Sequence, residues 1–503
     1  MADARKVVLC ADLGTGSLRV GAIAANGKVV AAASTAIHAM EPEPGWSVID
    51  PEAWWRALAR TAGRTLDQLP KGSRVRGLCL SGLTRSQVLV DREGRPLAPA
   101  LLFRDSRAVN DAAEVARYFR CDNPADEITA FHPIARLAWF ARRQPEMLAR
   151  TCAVMEPKDF LNFRLTGVIA ADTVTYSRFD RLRETERPLP DWLERCRNTL
   201  ALRRNAPWQM LGPMTSRRSP FGRLRGIPVF AGAMDAWAAA VGAGAIRAGQ
   251  GYDISGTSEV AGLITQARAD VRGLVSLIWG EAVHQIGGPT QAGADCALWC
   301  HRTFRVRGSL VAAIERAGTV PPAGDRPLFL PYLAGERTPL WRADVRGAFE
   351  GLSRGHRADD FLWSVLEGVA MAMRDILVRA VDGSRQNLSE VRVAGGGARS
   401  DAWCQLKADV MNVPMVRTAH RETGVIGAAI AAAVGLGWHP TLAAAADAMC
   451  PIERVFEPRP ALAPLYAQRA ERYHRARQHA VAEADAARST SARPARRGAK
   501  VFQ

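Results

Sequence analysis

A short pattern occurs twice in this chain and limits its fold more than any other feature. Residues 12–23 read Asp-Leu-Gly-Thr-Gly-Ser-Leu-Arg-Val-Gly-Ala-Ile, and residues 253–264 read Asp-Ile-Ser-Gly-Thr-Ser-Glu-Val-Ala-Gly-Leu-Ile. At a constant offset of 241, Asp12 meets Asp253, Ser17 meets Ser258, Gly21 meets Gly262 and Ile23 meets Ile264. Each copy reads as strand, glycine and hydroxyl turn, strand. An internal repeat weighs more than a lone motif. It implies two related halves, each presenting a turn toward a shared cleft, with hairpins that superpose without a gap. Chance similarity of two hairpins is the competing reading.

The turn residues suit phosphate. Glycines let backbone N–H groups approach an anion, Thr15 and Ser17 add hydroxyl donors, and Arg19 adds a fixed charge. Asp12, at the end of the first strand, could hold a hydrated metal ion. Taken alone, the first motif reads equally as an ordinary hairpin with a polar turn.

Just before the second copy, the apolar run Ile227-Pro228-Val229-Phe230-Ala231 passes through Gly232-Ala233-Met234 to Asp235 and a small-residue helix from Ala236 to Val241. α/β proteins place ligands at such strand-to-helix junctions. A helix N-terminus favours an ionised carboxylate, and an ionised Asp235 could take a proton from a substrate hydroxyl. Asp is also a favoured N-cap, and on this stretch alone the cap reading leads.

Other segments add to the picture. Strands at 75–80 and 100–102 end in polar clusters that contain Thr84, Arg85 and Asp105. These suit a small polar ligand, or Arg85 and Asp105 form a structural ion pair. Residues 134–149 read as one amphipathic helix, and residues 423–436 as a small-residue helix able to pack tightly. Gly395-Gly396-Gly397 follows a strand and precedes a helix, which suits close contact with a nucleotide. It is neither a Walker-A nor a G-x-G-x-x-G pattern. Residues 487–503 are rich in Ser, Ala, Arg and Pro and read as a disordered basic tail.

Length and composition bound the function. A chain of 503 residues implies two or three domains. The net charge of +17 raises nucleic acid as a partner, but no aromatic and basic stripe and no zinc-finger spacing accompany it. A basic solvated surface that attracts an anionic substrate is the preferred reading. Nine scattered cysteines without C-x-x-C do not make a disulfide framework. Cys296, Cys300 and His301 are read as helix residues rather than metal ligands. No signal peptide or membrane-spanning run is read, so a cytoplasmic location is expected.

In this order, the motifs resemble the FGGY family of carbohydrate kinases over residues 6–475. The carrying motifs are Asp12 to Ser17, Gly45-Trp46 with Asp50-Pro51, Lys158-Asp159-Phe160-Leu161 before Leu165-Thr166-Gly167, and Asp235 in its glycine turn. Ser255 to Ser258, Pro331 to Pro339 and Ala394 to Gly397 complete the set. The resemblance implies an α/β fold of two actin-like ATPase domains of the ribonuclease-H type around a central cleft. A sugar-binding domain would span 1–246 and an ATP-binding domain 247–480. Asp235 would be the catalytic base, and Asp12 would hold Mg2+ through water. Thr15, Ser17 and Arg19 would meet the β- and γ-phosphates of ATP, with Gly256 and Thr257 opposite. Gly293, Gly396, Gly397 and Asp401 would lie along the nucleotide. Thr84, Arg85, Asp105 and Asp235 would meet the sugar.

The Pro331 to Pro339 run looks most like the xylulokinase and gluconate kinase branches. Leu83-Thr84-Arg85-Ser86 departs from both xylulokinase and glycerol kinase patterns, Ala236 stands where Asn or Gln is usual, and Phe103 replaces a usual Trp. A pentulose such as xylulose is the expected substrate. Arg85 keeps an aldonate in view, a polyol of the glycerol or erythritol type is a further alternative, and an inactive actin-like ATP or sugar sensor is another. No nucleic-acid or membrane partner is expected, and a homodimer is one option for assembly.

Overall fold

The computed structural model describes residues 6–119, 121–179, 188–319 and 324–491. The chain opens with a three-stranded meander, β1 (Lys6–Leu13), β2 (Ser17–Ala24) and β3 (Val29–Ala36). Helix α1 (Pro51–Asp67) follows, with Pro51 in its first turn and Asp50 capping the amide of Glu52. The sheet is completed by β4 (Arg74–Gly82), β5 (Met210–Pro213) and β6 (Pro228–Phe230), in the order β5-β6-β4-β1-β2-β3. β4 runs parallel to β1, and β6 parallel to β4. Helix α2 (Pro157–Thr166) ends at Gly167 in the left-handed conformation, and α3 (Asp235–Gly242) follows β6.

The second half repeats this plan. Its sheet uses β7 (Gln250–Ser255), β8 (Glu259–Thr265), β9 (Val275–Ile278), β10 (His284–Pro289), β11 (Glu390–Gly395), β12 (Met415–Thr418) and β13 (Ile452–Phe456). The order is β9-β10-β8-β7-β11-β12-β13. Again a hairpin, β7–β8, lies beside strands running parallel to its first member, β11 and then β12. The helices used below are α4 (Ala294–Thr303), α5 (Asp401–Met411), α6 (Thr423–Gly435) and α7 (Ala463–Ser491).

The two hairpins do not superpose without a gap. Asp12 pairs with Arg19, seven residues on, whereas Asp253 pairs with Ala261, eight residues on. One separation is odd and the other even, so the turns differ by one residue. A one-residue slip turns a strand's side chains to the other face. Ser258 and Gly262 therefore do not occupy the ladder positions of Ser17 and Gly21.

A central strand buried on both faces feeds two cores. In β1, Val7, Leu9, Ala11 and Leu13 join Trp54, Trp55 and Leu58 of α1, while Val8 and Cys10 join the helices between the two sheets. Those helices are α3 and α6. α6 belongs to the second half by sequence, yet its Val425 reaches Gly21 of β2 and its Gly435 meets Phe230 of β6. α3 in turn packs on β7 and β11. A Cβ on Gly427 would strike the Ala238 carbonyl, and one on Gly242 the Thr423 carbonyl. The expected tight packing of residues 423–436 is therefore present, and it clamps the halves together.

Two expectations are corrected. Residues 134–149 form two helices, Pro133–Arg143 and Pro145–Arg150, because Pro145 has no N–H to continue the first. Residues 487–491 are helical, since α7 continues to Ser491 and Arg488 pairs with Asp344 at 2.6 Å. The rest of the expected tail, 492–503, lies outside the described residues. No helix among the described residues is long and apolar enough to cross a membrane.

Candidate active site

The site forms where β1, β4 and β6 end. Asp12, next to last in β1, lies opposite Ser81 of β4, and the Ser81 hydroxyl donates to its Oδ1 at 3.0 Å. After β6 the chain turns at Gly232, whose φ is +63°. Any Cβ there would collide with the Leu80 carbonyl, so only glycine brings this turn against β4. Met234 then bridges to Gly82, the last residue of β4. Two further bonds fasten the turn: Asn162 Nδ2 donates to the Ala231 carbonyl at 3.0 Å, and the Met234 amide donates to Thr175 Oγ1 at 3.0 Å.

Asp235 is the next residue. The expectation that it caps the helix is not met. Met234 occupies the cap position, Asp235 is the first residue of α3, and its Oδ1 accepts the neighbouring Ala236 amide at 2.8 Å. Nor does the helix end hold it ionised at an ordinary pKa. Burial foremost, and then the charges of Asp12 and Glu156, push Asp235 up to about 7 against the opposing Ala236 amide. Burial also raises Asp12, while Ser81 and Arg19 pull it back. A carboxyl poised near neutrality beside a second carboxylate is suited to general base work.

The sequence did not single out Glu156. It precedes α2 and accepts the amides of Arg85 at 3.1 Å and Ser86 at 3.2 Å, with the Thr84 hydroxyl at 3.4 Å. Thr84 and Arg85 are thus anchored by a carboxylate whose charge also reaches Asp235. Arg85 adopts φ +55°, and its carbonyl accepts Arg136 Nη1 at 2.7 Å. Asp105 is fully buried, and its carboxylate is gripped by Arg107 through two 2.8 Å contacts and by the Ser47 amide at 2.9 Å. It shapes the wall from behind rather than offering an open acceptor.

The first hairpin meets the second half beside its turn, through Arg19. Thr15 lies at the exposed tip of the first, where the Gly14 amide donates to the Ser17 carbonyl at 2.9 Å. Arg19 on β2 pairs with Glu422 at 3.0 Å, and Arg399, just beyond the triple glycine, approaches the same carboxylate at 3.9 Å. Glu422 immediately precedes α6, so one residue spans both halves. The next glycine, Gly424, packs against Asp12, and a Cβ there would strike its carboxylate.

Gly256, Thr257, Gly293, Gly396 and Gly397 gather at the end of β7. The first amides of α4 donate to the turn: Ala294 to Gly256 O at 3.0 Å and Asp295 to Thr257 O at 3.2 Å. Gly293 allows this, since a Cβ would strike Thr257 O. Gly395 and Gly397 wrap Ser255 equally closely. Asp401 stands apart from this group in its bonding. Its carboxylate is held by Arg417 at 2.8 Å and by Arg454.

Beneath the second turn lies a buried cluster that sequence spacing did not reveal. Lys407 Nζ of α5 meets Asp253 Oδ2 at 2.6 Å, Ser255 Oγ at 2.7 Å and Glu259 Oε1 at 2.6 Å. Burial opposes the lysine charge, but Asp253 and Glu259 raise its pKa above the ordinary value. The cluster ties both strands of the hairpin to α5. Cys296, Cys300 and His301 sit on α4, as read from sequence, and Cys296 and Cys300 are free thiols.

A two-sheet α/β molecule with carboxylates and glycine turns at its strand ends has the build of a phosphotransferase. The chain belongs to the FGGY family of carbohydrate kinases: residues 7–242 match the family's N-terminal domain and 251–436 its C-terminal domain. It is therefore a sugar phosphotransferase of the two-domain FGGY fold, a family that takes ATP as co-substrate. It is 28% identical over 470 residues to a xylulose kinase of Staphylococcus epidermidis, covering 90% of this chain and 93% of that one. It is 29% identical to a xylulose kinase of Escherichia coli, covering 84% and 88%. A crystal structure of a xyloylose kinase from Brucella ovis aligns with a TM-score of 0.84 at 27% identity, over 94% of this chain and all of that one.

Proposed function

We propose that this chain transfers the γ-phosphate of Mg-ATP to a hydroxyl of a pentulose, with xylulose as the leading substrate. One observation carries the reading: Asp235 follows β6 and Asp12 lies near the end of β1, the two strands that flank β4, close enough for the Asp12 charge to raise Asp235, in a chain similar over most of its length to xylulose kinases. Asp235 accepts the proton of the attacking sugar hydroxyl as that oxygen bonds to the γ-phosphorus. Its raised basicity matches the task, because a base works best with a pKa near the working pH. Phosphoryl transfer otherwise depends on positioning and charge neutralisation. Thr15, Ser17 and Arg19 meet the β- and γ-phosphates from one side, and Gly256 and Thr257 from the other. Gly293, Gly396 and Gly397 lie along the nucleotide. Asp401 acts at a remove, by fixing Arg417 and Arg454. Thr84 and Arg85 border the sugar, and Asp105 positions that wall through Arg107.

The residues fit magnesium of the kind that arrives with a nucleotide. Mg2+ keeps several waters and needs only one or two carboxylates plus phosphate oxygens. Asp12 offers one, and the described residues contain no all-protein cage of three or more ligating side chains. When bound, the ion neutralises phosphate charge, and Asp12 holds its water.

The test is coupled ADP release against a panel of ketoses, polyols and aldonates. Xylulose should give the highest kcat/KM. Preference for an aldonate would move the chain to the gluconate-type alternative. Absence of sugar-stimulated ADP release throughout would favour a sensor.

A further inference from the structure

On the outer face of the first half, along α1 from Arg56 to Asp67, lies a groove of about 450 Å3 whose walls carry five arginines and one carboxylate, Asp67. Arg56, Arg60 and Arg64 stand at i, i+4 and i+8 on α1 and so form one stripe. Arg218 and Arg223 come from the facing segment that leads toward β6. The floor is open at Gly63, where a Cβ would only brush Pro220 at 3.9 Å. Like charges at i, i+4 repel on a helix surface, so the stripe costs stability unless something neutralises it. Little among the described residues does. Arg56 pairs with Asp50 at 2.9 Å, and Arg223 reaches Asp67 at 3.8 Å. Arg64 donates to the Ser34 carbonyl, which carries no full charge. Arg60 and Arg218 have no carboxylate partner among the described residues.

We propose that this groove binds a small anion carrying at least two phosphate groups. Its volume exceeds what a single phosphate fills, and it falls in the size range of ligand pockets. Its two walls supply separate guanidinium sets, and planar guanidiniums suit phosphate oxygens because they donate two parallel hydrogen bonds. None of the lining residues belongs to the phosphoryl-transfer site, so the inference stands or falls apart from the sugar-kinase reading.

Calorimetric titration of inorganic pyrophosphate into the full-length protein tests it. The double variant Arg60→Gln/Arg218→Gln should keep its sugar-stimulated turnover, which verifies folding. Its pyrophosphate binding at this locus should weaken about tenfold or more, as loss of two charge-assisted donors implies. Equal pyrophosphate stoichiometry and affinity in both proteins would overturn the proposal. So would equal binding of pyrophosphate and sulfate in the wild type, which marks diffuse charge rather than a two-phosphate site. Tighter retention on duplex DNA than on pyrophosphate, abolished by the variant, would overturn it in favour of a nucleic-acid surface.

Discussion

The Met234 amide donates to the Thr175 hydroxyl at 3.0 Å, so the residue before the proposed base is tied to a buried charge cluster. The Thr175 amide donates to Asp172 Oδ1 at 2.7 Å, and Asp172 faces Lys158 Nζ at 2.8 Å. Lys158 also meets Asp159, and all three charged side chains are almost wholly buried. Burial opposes the Lys158 charge, but Asp159 and Asp172 raise its pKa. The cluster is rigid because each charge would be costly to leave unpaired. Thr175→Val keeps the shape and removes the acceptor. We expect kcat to fall roughly ten- to a hundredfold, as small misplacements of reacting groups do, with a smaller change in KM for ATP. Steady-state kinetics read this directly. Unchanged kcat would show that the turn holds Asp235 without Thr175.

Asp235→Asn separates chemistry from folding. The amide is isosteric and cannot accept the hydroxyl proton. Losing a general base costs about 10²- to 10⁴-fold in rate. Stability should not fall with it, because the buried carboxyl already repels Asp12 and Glu156. The expected result is a collapse in kcat with an unchanged or higher melting temperature. Wild-type turnover on the best sugar would remove Asp235 from the mechanism.

Much of this site was legible in the sequence, and the misses share a cause. The repeat around Asp12 and Asp253 announced two similar sheets, and Gly232 with Asp235 announced the junction after β6. The hairpin register was not legible, because side-chain identity at Ser17 and Ser258 says nothing about the turn between paired strands. Glu156, Glu422 and Lys407 act across distances of many residues, and no local pattern marks such partners. Glu422 meets Arg19, and Lys407 meets Asp253, only once the halves are packed. The helix end at Asp235 points to an ionised carboxylate, and the fold reverses this for the same reason. The helix end is a local feature, whereas the burial and the Asp12 charge that outweigh it are tertiary. Asp105 reads as a ligand candidate because it lies in a polar cluster after a strand, and only the fold shows that Arg107, two residues on, is buried with it and takes up its carboxylate.

The pH profile follows from the same carboxyl. Its value is raised to about 7, so the proton stays on more tightly than in an ordinary aspartate. A base must be unprotonated to act, so kcat/KM should rise with pH through about 7 and level off above. One unit below that midpoint the rate should be about tenfold down. Measurement of kcat/KM for the sugar from pH 5.5 to 8.5 checks the sign. A profile flat to the acid end would show that the base titrates as an ordinary carboxylate. It would also mean that the electrostatic effect of Asp12 and Glu156 is absent during turnover.

Two glycines of α6, three residues apart, should fail in different ways. Gly427 faces the Ala238 backbone carbonyl of α3, and Gly424 faces the Asp12 carboxylate. A backbone carbonyl inside a packed helix pair cannot yield, so Gly427→Ala must push α3 and α6 apart. Overpacking of this kind costs about 1–3 kcal/mol or more, and here it loosens the contact between the halves. A side-chain carboxylate can rotate, so Gly424→Ala should be accommodated by moving Asp12 off the Ser81 hydroxyl. Gly427→Ala should therefore lower the melting temperature by several degrees while the folded fraction keeps its KM for Mg-ATP. Gly424→Ala should change melting little but raise the Mg2+ concentration needed for half-maximal rate. Thermal unfolding and magnesium titration of both variants decide the matter. If Gly424→Ala melts early with an unaltered magnesium requirement, then Asp12 is a packing residue and its place in the phosphoryl-transfer site is lost.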